Sequence, residues 1–164
     1  MSTTHLVGTL QPVAAAFGLP LQSAEALGQG LIHSSYHITV GGGGEQFLLQ
    51  QLNTQVFQQP QIVQENFVAI RRALQGHYAL PHLVPTGQGQ LYWQHQQQAW
   101  RCFTWVPHSY APTGAISPEL AYDTARCFGS YGRLLSQAMH SSCSRPASRP
   151  PTSACRQPAP CSAC

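Results

Sequence analysis

Residues 31–52 read LIHSSYHITVGGGGEQFLLQQL, and this stretch decides the fold class. Two β-prone runs, residues 31–40 and 46–52, flank four consecutive glycines. A glycine run between two β-prone segments favours a hairpin turn, because such turns need residues with positive φ. The stretch therefore predicts an antiparallel β-hairpin.

A helix and a second pair of strands are predicted on the carboxyl side of this hairpin. Pro60 suits the first helical position and Gly76 ends the helix. Between them, apolar residues recur at spacings of four, three and four, namely Val63, Phe67, Ile70 and Leu74. Residues 90–94 and 100–106 are the further strands, joined by the polar run 94–98 as a hairpin connection and closed by Pro107.

Two more helices complete the pattern. Residues 11–19 form a short helix that Pro20 ends. Residues 118–138 form a longer one, with Ser117 as N-cap and an apolar face that finds no partner in the rest of the chain. That face carries Leu120, Thr124, Phe128, Tyr131, Leu135 and Ala138. The element order predicts an α+β fold, an antiparallel sheet of about five strands with a helix on one face.

Charge and hydropathy argue against two kinds of partner, nucleic acids and membranes. The chain has a formal charge of +3, is only 8% charged, and contains a single Asp, Asp123. With Arg71 and Arg72 as the only adjacent basic pair in the folded part, we expect no nucleic-acid partner. The longest apolar stretch, residues 13–21, is too short for a bilayer span, and the amino terminus has no signal-peptide pattern. We therefore expect a cytoplasmic protein with no membrane partner.

The composition changes abruptly near residue 140. Residues 141–164 contain no Leu, Ile, Val, Met or aromatic residue, so they have nothing to bury and are predicted to be disordered. Four of the six cysteines fall there, Cys161 and Cys164 as a C-x-x-C, yet no His accompanies them and no metal site is predicted. Such a composition is also what GC-rich coding DNA gives when it is translated out of frame.

Several segments resemble a known family. Residues 49–53 (LQQLN), followed by Val56-Phe57, Pro60, Val63 and Glu65-Asn66, resemble the "LQRIN..VF..P..VM.NI" signature of the N-acetylhexosamine 1-kinase-like branch of the aminoglycoside phosphotransferase family. Residues 30–36 (GLIHSSY) are similar to its "GLINxTY" segment, and residues 100–106 to its "WR...FI" strand. The resemblance covers about residues 25–138.

The resemblance implies a protein-kinase-like fold in which an amino-terminal lobe holds ATP with Mg2+ and a carboxy-terminal lobe binds a sugar and carries catalysis. It divides the chain into a nucleotide-binding lobe (1–107), a hinge with the first helix of the second lobe (108–140) and a disordered tail (141–164). The family's H-x-D-x-x-x-x-N loop is missing, since His140 is followed by two serines. We therefore expect a truncated sugar or amino-sugar phosphotransferase that is inactive as this chain, with no catalytic or metal-binding residues. The alternative is a non-catalytic nucleotide-binding or interaction module.

The same resemblance implies where a nucleotide would bind. The implied contacts are the glycine segment, the third strand, the helix and the hinge, represented by Gly28, Gly30, Ser35, Gln51, Glu65, Trp105 and Val106. Gln51 stands where the family motif has a cationic Arg, so weak nucleotide binding or none is expected. Two alternatives stay open: Gln50 and Gln51 point to opposite faces of the strand, so only one can face the cleft, and the helix residue in the cleft is either Glu65 or Asn66. His33, where the family usually has Asn, is expected to be a partly exposed loop residue.

Overall fold

The computed structural model describes residues 3–28, 32–78, 80–109 and 114–143. Within them the chain forms three helices and six strands. In chain order these are α1 Thr3–Ala16, β1 Leu21–Ala26, β2 Ser34–Val40, β3 Gln46–Leu52, α2 Pro60–Ala73, β4 Leu83–Val84, β5 Trp93–His95, β6 Gln98–Thr104 and α3 Pro118–Cys143.

The strands form one antiparallel sheet in the order β1-β2-β3-β6-β4, with β5 also paired to β6. The predicted α+β class and antiparallel sheet are confirmed, with six strands where about five were expected. Two strands, β1 and β4, were not predicted. The segment LQSAEA of β1 has no β-branched residue, and β4 has only two residues, so pairing with β2 and β6 creates both strands.

The glycine-linked hairpin forms as predicted. β3 has the predicted bounds, and Gly42 and Gly44 adopt positive φ in the turn. β2 begins only at Ser34, because Ile32 and His33 belong to the preceding loop. The pairing places Leu49 opposite Tyr36 of β2 and opposite Cys102 of β6. β3 is therefore paired on both sides.

The second hairpin is tighter than predicted. β5 and β6 are connected by Gln96 and Gln97 alone, which adopt φ of 46° and 66°. Positive φ at both central residues is the feature of a two-residue turn whose twist matches that of the flanking strands. β6 consequently starts at Gln98, two residues before the predicted position, and ends at Thr104.

Helix α1 differs from its prediction at both ends. It begins at Thr3, includes Pro12 and ends at Ala16. A glycine ends it rather than Pro20: Gly18 adopts φ of 71°, the Gly18 N–H donates to the Ala15 carbonyl, and the Leu19 N–H donates to the Ala14 carbonyl. This pair of hydrogen bonds is a Schellman motif, in which glycine takes the left-handed conformation at low cost.

The two faces of the sheet are covered by different helices. α1 packs on one face and forms the apolar core with it. The core residues are Leu10, Val13 and Ala14 of the helix, Phe17 just after it, and Ala24, Ile38, Leu49, Trp100 and Cys102 of the strands. α2 lies on the opposite face, where Phe67 meets Phe103 with ring centroids 4.9 Å apart. The sheet thus has a helix on both faces, whereas only one covered face was predicted.

Helix α3 begins as predicted, because the Ser117 hydroxyl accepts a hydrogen bond from the Leu120 N–H. It continues to Cys143, beyond the predicted boundary at residue 140. Phe128 of the predicted apolar face is 71% exposed, whereas Tyr131 is half-buried against Tyr78. The prediction of disorder for the tail falls, from residue 144 onward, outside the described residues.

Candidate functional site

A row of polar side chains crosses the middle of the sheet on the α2 face. Ser35 of β2 is paired with Gln50 of β3, and Gln50 is paired with Arg101 of β6. Directly paired residues of antiparallel strands project on the same side of a sheet. Three neighbouring strands therefore place a hydroxyl, an amide and a guanidinium side by side.

Hydrogen bonds connect this row. The Arg101 Nε and Nη2 groups both donate to Gln50 Oε1, at 2.9 Å and 2.6 Å. Gln50 Nε2 in turn donates to the Ser35 hydroxyl oxygen at 2.8 Å. The Gln50 amide is thus oriented by both neighbours, with its oxygen towards the cation and its nitrogen towards the hydroxyl.

Helix α2 adds a second amide above the row. Gln64 is fully buried, accepts a hydrogen bond from Arg101 Nη1 at 3.3 Å, and donates to the Pro60 carbonyl at 3.1 Å. The guanidinium also lies 4.9 Å from the centre of the Phe103 ring. Because Phe103 packs against Phe67 of the same helix, α2 holds Arg101 from two directions.

The positive charge of Arg101 is not matched by a nearby carboxylate. All five acidic residues lie in the part of the chain that the structure describes, and the one ion pair formed there joins Asp123 to Arg126, on exposed α3. Burial lowers the pKa of Arg101 to about 10, so the group is still charged at neutral pH. The row therefore holds a half-buried cation bonded only to neutral oxygens.

His33 lies immediately before β2, and the charge of Arg101 affects its pKa. Partial burial, and then the positive charge of Arg101, lower the pKa of His33 below its ordinary value. Its Nδ1 accepts the backbone N–H of Asn53 at 3.1 Å, so the neutral ring carries its proton on Nε2. His33 is half-buried as expected for a partly exposed loop residue, and it is fixed by this bond and by its contact with Phe57.

The predicted glycine segment is partly described. Gly28 is exposed and adopts φ of 55° two residues after the end of β1, a conformation that favours glycine. Gly30 lies outside the described residues, as does Gln29 beside it. Ser35 belongs to the polar row. A nucleotide contact at these positions stays a prediction.

The structure decides which of the two third-strand amides faces α2. Gln51 is paired with Ser34 and with buried Trp100, so it projects to the α1 face, and Gln50 projects to the α2 face. Of the two alternatives, Gln50 is thus the amide beneath α2, and a nucleotide contact of Gln51 stays a prediction. The reason is the two-residue period of the strand, which sends neighbours to opposite faces.

The helix residue that contacts Arg101 is neither of the two alternatives but Gln64. Glu65 and Asn66 are both exposed, and the Glu65 carboxylate accepts a hydrogen bond from Gln61 on the solvent side of α2. Gln64 accepts a hydrogen bond from Arg101, and a nucleotide contact of Glu65 stays a prediction. Sequence reasoning missed Gln64 because a glutamine beside an apolar stripe gives no sign of burial.

The predicted hinge follows β6 directly. The Trp105 N–H donates to the Gln46 carbonyl at 3.2 Å, and the Val106 carbonyl accepts both the N–H and the hydroxyl of Ser109. The Trp105 ring lies 4.3 Å from that of His37, whose buried Nε2 has no partner among the described residues. Two of the backbone groups predicted to meet a nucleotide thus already have partners within the chain.

The described residues offer neither a metal cluster nor a membrane span. They contain no group of three or more His, Cys, Asp or Glu side chains placed to hold a metal ion. None of the helices described is long and apolar enough to cross a membrane.

Comparison with known proteins shows a structural likeness. No family model matches the chain. Among solved structures, the chain is similar to the spectinomycin phosphotransferase APH(9)-Ia, whose crystal structure contains ADP and spectinomycin. The match has a TM-score of 0.45 and 12% sequence identity, and it covers 65% of this chain and 30% of that protein. The chain thus corresponds to less than a third of the phosphotransferase.

Proposed function

We propose that the described residues form the nucleotide-binding lobe of a sugar or amino-sugar phosphotransferase of the aminoglycoside phosphotransferase family, N-acetylhexosamine 1-kinase-like branch. The observation that supports this proposal is the polar row Ser35–Gln50–Arg101, capped by Gln64. The row is built from strands that carry the segments resembling the family. His33, whose pKa the charge of Arg101 lowers, lies within residues 30–36, the segment that resembles the family's glycine motif. Leu27, next to Gly28, donates its N–H to the Ser35 carbonyl.

The arrangement suits an anionic ligand. A guanidinium with fixed orientation, a hydroxyl and a nearby loop offer donors to the oxygens of a phosphate chain. The half-buried position strengthens such bonds, because water competes less there than at an open surface. Nucleotide with Mg2+ is therefore the proposed cofactor. Its affinity is expected to be low, because two backbone groups of the hinge are engaged within the chain.

The polypeptide of 164 residues is proposed to transfer no phosphoryl group by itself. Metal-assisted transfer in kinase-like proteins needs one Asp near the accepting hydroxyl and a second carboxylate on the metal. The chain has one Asp, and Asp123 is exposed and paired with Arg126 on α3 at 3.1 Å. Neither Asp123 nor any other described acid forms an ion pair with Arg101, although Glu25 of β1, paired with His37, lies on the same face of the sheet as the row.

Two measurements test this proposal. Calorimetric titration with ATP and with adenosine is expected to give weak binding of both, and ATP with Mg2+ is expected to give no transfer to N-acetylhexosamines or aminocyclitols. Turnover that survives Asp123→Asn would show that the active site is elsewhere. If neither ATP nor adenosine binds at millimolar concentration, the nucleotide-binding proposal is wrong and the non-catalytic interaction module takes its place.

A further inference from the structure

We propose that Arg101 is the residue that contacts the phosphate groups of the bound nucleotide, so that β6 provides the positive charge which the family motif places on the third strand. This inference rests on the proposed function and adds a specific phosphate-binding residue to it. In the present chain the third strand offers only amides, Gln50 and Gln51. The register places Arg101 directly opposite Gln50, on the same face of the sheet.

The guanidinium keeps donors for a ligand. Arg has five N–H groups, and three of them point to Gln50 Oε1 and Gln64 Oε1. These amide oxygens fix the plane of the guanidinium without cancelling its charge. A planar, oriented fork of N–H donors is the geometry that binds phosphate oxygens well.

Ser35 extends the site by one donor. Its oxygen accepts a hydrogen bond from Gln50, and its O–H donates to no group of the described residues. Ser35, Gln50 and Arg101 are half-buried, whereas Gln64 is fully buried. Ser35, Gln50 and Arg101 therefore keep part of their surface accessible to a ligand, whereas Gln64 does not.

A purely structural role explains the arrangement less well. Arg101 does tie α2 to the sheet through Gln64, but that contact needs only a hydrogen-bond donor. A half-buried charge is costly when no opposite charge is near. Because none of the five acidic residues pairs with Arg101, a bound anion is what would complete the site.

The sharpest test adds a carboxylate inside the site and leaves Arg101 in place. Gln50→Glu has the same shape and is expected to form an ion pair with Arg101, so the fold is retained while the charge is neutralised. By calorimetry, affinity for ATP and for inorganic tripolyphosphate should fall about ten- to a hundredfold, the range for loss of a charge-assisted hydrogen bond. Adenosine affinity should not change, because adenosine has no phosphate.

The matched control is Gln98→Glu, the same substitution at an exposed position of β6. It should leave all three affinities unchanged within about twofold, since exposed charges are largely screened. Arg101→Lys keeps the charge and loses the fork, so it should bind tripolyphosphate with intermediate affinity.

The pKa of His33, measured by NMR, provides an independent test of anion binding at Arg101. The charge of Arg101 lowers the pKa of His33, so neutralising that charge with bound tripolyphosphate should raise it. Gln50→Glu should raise it without any ligand. If the pKa of His33 is the same with and without tripolyphosphate, the anion binds elsewhere.

The outcomes separate this inference from the proposed function. If Gln50→Glu binds ATP and tripolyphosphate as the unmodified chain does, Arg101 is not the phosphate contact, although the nucleotide site stands. If tripolyphosphate binds and adenosine does not, the anion site is supported and the nucleotide assignment fails. If neither phosphate compound binds the unmodified chain, both are wrong.

Discussion

The two faces of the sheet differ in polarity: the face towards α1 is mainly an apolar core, and the face towards α2 carries a row of polar side chains. Towards α1, the centre of the sheet is apolar and buried, with Ile38, Leu49 and Cys102 fully shielded from water. Towards α2, the same strands present Ser35 and Gln50 beside Arg101. One set of strands therefore supplies both a core and a polar row, because neighbouring residues alternate between the faces.

The difference shows how stability and function are divided in this fold. Apolar burial is non-directional and tolerates small shifts, so the α1 face stabilises the sheet without fixing any one group. Hydrogen bonds to a charged group depend on distance and angle, so the α2 face orients specific atoms. The predictions below test that division from the largest expected effect to the smallest.

Leu49→Ala should be the most damaging of these substitutions. Leu49 is fully buried against α1, so its truncation removes apolar contacts and leaves a cavity. We expect the free energy of unfolding to fall by about 2–5 kcal/mol. Urea unfolding followed by circular dichroism measures it. The adjacent Leu48, half-buried on the α2 face, is the control, and Leu48→Ala should cost about 1 kcal/mol. Equal losses at the two positions would contradict the division between the faces.

Gln64→Ala should have a smaller effect of a different kind. It removes an acceptor of Arg101 and the donor to the Pro60 carbonyl, so buried polar groups lose partners. A loss of about 1–3 kcal/mol is expected from the same urea experiment. Gln61→Ala, on the exposed side of α2, is the matched control and should stay within about 0.5 kcal/mol. If both variants behave alike, Gln64 is not the link between α2 and Arg101.

Lowering the pH should destabilise the folded chain through His33. The pKa of folded His33 lies below the ordinary value of 6.5, so the unfolded chain takes up a proton that the folded chain resists. The free energy of unfolding is therefore expected to fall as pH drops below about 6.5 and continues through the folded pKa. Comparing urea midpoints of the parent chain and His33→Asn between pH 5 and 7.5 checks this. A difference between the two that does not change with pH would rule His33 out.

Phe128→Ala on α3 is the reference with the smallest expected effect. Phe128 is 71% exposed, so truncation should change the free energy of unfolding by no more than about 0.5 kcal/mol. Light scattering at tens of micromolar should meanwhile show less self-association than in the parent chain, because an exposed aromatic surface is removed. A loss of stability comparable to that of Leu49→Ala would mean that Phe128 is packed in solution.

Local chemistry in the sequence determined the main elements. The glycine run, the period-two strands and Pro60 followed by a helical stripe predicted β3, the first hairpin and the start of α2, and Ser117 predicted the start of α3. These signals act within a few residues along the chain, so they need no knowledge of the partners. Ser35 was named as a site residue on a different ground, the resemblance of the segment that contains it to a family motif, and its contact with a nucleotide stays a prediction.

Only the tertiary structure decided which side chains meet. β1 and β4 exist because β2 and β6 pair with them, and Gln50 rather than Gln51 faces α2 because of the register of β3. Gln64 and Arg101 are 37 residues apart, and nothing local marks them as partners. Burial is a property of the assembled layers, so a glutamine or arginine becomes a buried contact only when helix and strand are packed together.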